Sequence, residues 1–143
     1  MPNYLSVAEY QAATNRQYPK LYDNAGTPDT AWMEADINAA EGRIDGYLSA
    51  RYATPVTGGD IRLLMAWTRL LALGMGMTRK PSGEVPDGLT KEIDRVYADL
   101  KAVAAGKMQL GGTELPAEVE TWDDAIIVEG NEPEMTRAKL GGF

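Results

Sequence analysis

Three carboxylates, Glu34, Glu41 and Asp45, recur at spacings that put them on one side of a helix. Carboxylate oxygens so placed could hold a divalent cation. A di-metal site in a helical bundle wants a second acidic cluster at matching spacing on another helix, and the sequence has none. The row therefore reads as a solvated helix face. The chain has no histidine and no cysteine. That excludes Ser–His pairs, thiolate nucleophiles, zinc–thiolate sites and disulfides. Gly74–Met75–Gly76 is not a phosphate loop, and Glu84–Val85–Pro86–Asp87–Gly88 is turn chemistry rather than a calcium loop. No GxSxG elbow, GxxxxGK[ST] or GxGxxG motif occurs. We expect no metal, no cofactor and no enzymatic activity.

The elements that would position these side chains belong to a chain of 143 residues, enough for one domain with a real core. Hydrophobic content of 44% and charged content of 24% are near globular averages, which argues against wholesale disorder. The net charge of −7 is uneven. Residues 113–143 carry Glu114, Glu118, Glu120, Asp123, Asp124, Glu129, Glu132 and Glu134 against Arg137 and Lys139, a balance of −6. The remaining 13 acids and 12 bases leave residues 1–112 at −1. Nothing in the sequence resembles the basic face that neutralises nucleic-acid phosphates. The N-terminus MPNYLSVAEY lacks the basic flank and apolar centre of a signal peptide. The most apolar run, residues 63–77, contains Arg69 and falls short of the roughly 18 residues of a membrane span. The expectation is a soluble protein made inside the cell, with no membrane partner.

Ser6 and Glu9 form a capping box for a first helix reaching about Thr14. Residues 15–31 read as a loop, and Thr27 or Asp29 caps a long second helix ending near Ala53, before Pro55. Thr57, Gly58 and Gly59 make a turn, and Asp60 caps a third helix, IRLLMAWTRLLALGMGM. Its apolar character around most of the circumference makes it central. A fourth helix starts near Asp87, carries Ile93, Val96, Tyr97, Leu100, Val103 and Ala104, and stops at Gly106. The fold class is all-α: a bundle of about four helices over residues 1–112, followed by an acidic arm over 113–143. That arm reads as extended, partly β or disordered. Its apolar island, Trp122 with Ile126, Ile127 and Val128, and its ending, Leu140 and Phe143, exceed what a purely solvating tail requires. These six residues are candidates for docking on a partner.

On a helical wheel the second helix divides into three faces. Met33, Ile37, Ala40, Ile44, Tyr47 and Leu48 form a core-facing stripe; Glu34, Asn38, Glu41 and Asp45 lie beside it. Ala35, Ala39, Gly42, Gly46, Ala50 and Ala53 form a smooth third side. Each mid-helix glycine costs roughly 1 kcal/mol relative to alanine, so a close neighbour is expected there. That neighbour is either another helix of the same chain or a second subunit. Arg51 falls at the end of the apolar stripe, where it either stacks on Tyr47 or Tyr52, binds a carboxylate, or snorkels to solvent.

Ile44–Asp45–Gly46–Tyr47–Leu48, then Arg51–Tyr52 and Pro55, resembles the IDGYLxxRYxxP signature of the Mu-like phage head–tail connector family, also called adaptor or head-completion proteins. The element order is similar. So are the pattern Leu100, Ala104, Ala105, Gly106, Lys107, Leu110 and the ending MTRAKLGGF. The third helix departs from the family in lacking an aromatic- and arginine-rich pattern. The resemblance implies a structural virion protein at the neck between capsid and tail. Such proteins assemble as a ring, commonly a dodecamer, under the portal protein, help close the DNA channel and dock a tail, stopper or tail-terminator protein. On this reading Ala35, Ala39, Gly42, Gly46, Ala50, Arg51 and Tyr52 form the interface with a neighbouring subunit, Arg51 and Tyr52 holding the signature helix against its neighbours. The acidic arm would then pass DNA without binding it. A reading from another class stays open: a monomeric helical accessory or regulatory protein whose acidic tail docks on one partner.

Overall fold

The structure, a computed structural model, describes residues 2–80 and 83–111. Four helices carry the fold: α1 (Val7–Gln17), α2 (Thr30–Leu48), α3 (Ile61–Arg79) and α4 (Asp87–Ala104). The all-α expectation holds. The arm residues Trp122, Ile126, Ile127, Val128, Leu140 and Phe143, and the boundary at 112/113, lie outside the described residues.

Local signals start α1, α2 and α3 and stop α4 where the sequence places them. Ser6 and Glu9 close a reciprocal capping box on α1, and Ser6 holds the exposed Glu9 carboxyl below its ordinary pKa. Asp29 accepts from Trp32 N–H and Asp60 from Leu63 N–H, capping α2 and α3. Gly106 takes φ +78° just past α4, a conformation that favours glycine. Within the loop after α1, strands β1 (Asp23–Asn24) and β2 (Thr27–Pro28) pair antiparallel around Ala25 and Gly26, both at positive φ. Two positive-φ residues make this a primed hairpin turn, a feature the loop assignment did not resolve.

The core forms where α2, α3 and α4 pack on one another, with α1 against α2. Met33, Ile37, Ala40, Ile44 and Leu48 are fully buried, so the stripe read on α2 is the core face. Tyr47, the remaining member, is only half-buried and tilts against Tyr97 of α4, ring centroids 6.2 Å apart. α3 is central as expected, burying Leu64, Trp67, Leu71 and Ala72. Two of its glycines lie directly against neighbouring side chains. A Cβ on Gly74 would stand 2.6 Å from Ile93 Cδ1, and one on Gly76 would overlap the Tyr22 hydroxyl.

Two boundaries differ: α1 runs on to Gln17, past the expected Thr14, and α2 stops short. α2 ends at Leu48, not near Ala53. The Leu48 carbonyl accepts from both Arg51 N–H and Tyr52 N–H, and Ser49 Oγ turns back to the Gly46 carbonyl at 3.1 Å. These bonds tighten the last turn and close the helix early. Ala50, Arg51, Tyr52 and Ala53 therefore stand beyond α2, and the helical part of the smooth side is Ala35, Ala39, Gly42 and Gly46.

Candidate functional site

The acidic row on α2 is not a solvated face. Glu34 is exposed, but Glu41 is 3% exposed and Asp45 is half-buried. Glu41 lies where the N-terminal segment crosses α2. Its Oε1 accepts from Tyr4 N–H (2.7 Å) and Leu5 N–H (3.1 Å), and its Oε2 from Asn3 N–H (2.6 Å). Three consecutive backbone donors that precede α1 are thus satisfied by one carboxylate. Tyr4 completes the junction. Its hydroxyl donates to Asp45 Oδ1 at 2.5 Å and accepts from Val56 N–H at 2.8 Å, joining the N-terminus, α2 and the α2–α3 loop.

Burial pushes the Asp45 carboxyl above the usual carboxylate range; the Tyr4 hydroxyl opposes that shift, and the Glu41 charge adds to it. Tyr4 is pushed well above the ordinary phenol value by burial and by its bond to Asp45, so it stays a donor at neutral pH. The raised carboxyl has a definite consequence. The folded chain holds a proton at Asp45 more readily than the unfolded chain does. The stabilising contribution of that proton is full below the unfolded aspartate pKa of about 3.9 and is lost as pH rises through the higher folded value. Asp45→Asn keeps an oxygen for the Tyr4 hydroxyl and removes the titration. The stability of Asp45→Asn minus that of the unmodified chain should therefore increase as pH rises across this window. Urea midpoints measured across the window check it; a flat or falling difference would contradict the assignment.

A second buried carboxylate, Asp36, escaped the sequence reading. It sits on α2 between the apolar positions Met33, Ile37 and Ala40, and that spacing was the available signal. Asp36 Oδ2 accepts from the Tyr22 hydroxyl at 2.6 Å, and the Tyr10 hydroxyl stands 2.8 Å from that of Tyr22. Because Tyr22 gives its proton to Asp36, Tyr10 donates to Tyr22. Burial raises both phenols, Tyr22 strongly. Arg79, at the end of α3, forms an ion pair with Asp36 Oδ1. The same guanidinium lies over the Trp32 ring, 4.1 Å from its centroid. The chain Tyr10–Tyr22–Asp36–Arg79–Trp32 ties α1, the hairpin, α2 and α3 together at one end of the bundle.

The smooth side of α2 has a different character. Ala35, Ala39, Gly42, Gly46 and, past the helix, Ala50 are all exposed. A Cβ built on Gly42 or Gly46 meets nothing within 4 Å. No helix of the same chain lies on this strip, so the intrachain neighbour considered for it is not present among the described residues. Arg51 is half-buried with its guanidinium against Gly106, which leaves no room for a side chain there. Tyr52 is buried in the core of its own chain, and its hydroxyl accepts from Leu110 N–H at 3.1 Å.

Among the described residues no group of His, Cys, Asp or Glu side chains is placed to hold a metal ion, and no helix is long and apolar enough to cross a membrane. The buried carboxylates serve backbone amides, phenols and an arginine of their own fold. The class so defined is a small helical protein, with four helices among the described residues, its polar interior committed to architecture and one smooth helix side left open. The chain belongs to the bacteriophage Mu Gp36 family, whose model matches residues 1–128. No curated protein matches it. Family membership makes this a phage protein with a structural or morphogenetic role.

Proposed function

We propose that this chain is a head–tail connector that assembles as a ring under the portal protein, helps close the DNA channel and offers a platform for the tail or its stopper. The observation that carries the reading is the exposed strip Ala35–Ala39–Gly42–Gly46. Two glycines in one helix cost roughly 1 kcal/mol each, and nothing among the described residues crowds either position. A neighbouring backbone drawn close to the strip accounts for that cost. The phage family supplies the setting, because a morphogenetic protein acts by binding other subunits. The arm residues Trp122, Ile126, Ile127, Val128, Leu140 and Phe143 are then further contacts to portal or tail, and the neck of the virion is where the protein resides.

Gly46→Leu is the direct test. Leucine is a good helix former and has open space at this position in the single chain. The variant should fold with an unchanged helical circular-dichroism spectrum and should fail to form rings on purified portal protein in electron micrographs. Rings formed by Gly46→Leu would place the subunit contact elsewhere. An unmodified chain that stays monomeric and ignores the portal would overturn the connector reading itself.

A further inference from the structure

Away from the α2 strip, a groove runs between α1 and α3. Its floor is apolar and incompletely covered: Ala13 of α1 faces Met65 and Leu70 of α3, all half-buried. Its rim is basic. Arg62 and Arg69 stand seven residues apart on α3, hence on one side of it, and Arg16 faces them from the end of α1. All three are exposed, and none is ion-paired among the described residues. The acids beside them are Glu9 and Glu92. Glu9 is held by the Ser6 amide and hydroxyl in the capping box, which leaves Glu92 at the α4 edge as the remaining counter-charge.

We propose that residues 122–128 of this same chain seat in this groove. Two features select that occupant over a neutral apolar one. The first is charge. Residues 113–134 contain eight acids and no base, and Asp123 and Asp124 fall inside an apolar sequence, Trp122 to Val128. Apolar side chains on the floor with carboxylates between them match a floor of Ala, Met and Leu rimmed by three arginines. The second is reach. Asp60 N–H bonds the Leu110 carbonyl at 3.1 Å, so the chain leaves the bundle beside the first turn of α3, next to Arg62. Trp122 is eleven residues past Gly111, an extended span of up to ~36 Å. The groove from Arg62 to Leu70 is only ~12 Å long. Docking within one molecule covers the apolar island in the free chain, before the arm is handed over to portal or tail. It requires no second subunit, so it stands or falls separately from the ring reading.

The test uses the full chain, which contains no native cysteine. A nitroxide attached at Ala125→Cys should erase the amide signals of Ala13, Met65, Arg69 and Leu70, and reducing the nitroxide should restore them. Arg62→Glu with Arg69→Glu should abolish the effect, as should high salt. Arg62→Gln with Arg69→Gln serves in its place if charge reversal shifts amides elsewhere in the bundle. Absence of signal loss would overturn the proposal, and so would loss centred on the Gly42–Gly46 strip. In a mixture of spin-labelled molecules and isotope-labelled molecules without a nitroxide, signal loss on the isotope-labelled ones would assign the groove to a second copy and would equally overturn the proposal.

Discussion

Arg79→Met should lower the stability of the isolated chain by about 2–4 kcal/mol. The loss comes from what is left behind. The Asp36 side chain is 4% exposed, and without Arg79 it keeps, among the described residues, the Tyr22 hydroxyl alone as a partner. An uncompensated buried carboxylate is the costly product of breaking such a pair. Arg79 itself is 33% exposed, so water reaches part of the site and keeps the figure below that of a fully enclosed pair. Loss of the cation over Trp32 adds about 0.5–1 kcal/mol. Asp36→Asn in the same molecule removes the orphaned charge and retains an oxygen for Tyr22. The double variant should therefore be more stable than Arg79→Met alone. Urea unfolding of the four chains measures this. A double variant as unstable as the two single losses combined would show that charge is not what the pair supplies.

The second large effect separates two kinds of glycine. Gly76→Ala drives a methyl group into the Tyr22 hydroxyl, within 3.4 Å of Asp36 Oδ2. That hydroxyl is fixed between Tyr10 and Asp36, so it can yield only by giving up buried hydrogen bonds. Against a gain of about 1 kcal/mol in helix propensity, overpacking and lost bonds should leave a net loss of about 1–3 kcal/mol. Gly42→Ala and Gly46→Ala meet open space. Each should stabilise the isolated chain by about 0.5–1 kcal/mol. Thermal melts of the three single variants decide the matter. Equal behaviour of Gly46 and Gly76 would remove the argument that the α2 glycines serve something outside the chain.

Much of this molecule was legible in its sequence. The capping box of Ser6 and Glu9, the caps at Asp29 and Asp60, and the stop at Gly106 are all where their residue types put them. The stripe from Met33 to Leu48 is the core face. The misreadings also have physical causes. Glu41 and Asp45 looked solvated because a wheel shows only which side of a helix a residue occupies. Here the N-terminal segment covers that side. Gly74 and Gly76 were passed over because they match no ligand motif, yet they are the glycines that neighbouring side chains crowd.

The dividing line is the range of the interactions involved. Caps, turns and amphipathic periodicity depend on groups within about one helical turn, so the sequence alone determined four helices, their cores and most of their ends. The family signature around Asp45–Gly46–Tyr47 was equally readable. Partner choice for a buried carboxylate depends on which distant segment the fold brings over it. Asp36 finds Arg79 43 residues away, and Glu41 finds the Tyr4 amide across 37. Only the tertiary structure decided these pairings, and with them which glycines are enclosed and which stand open.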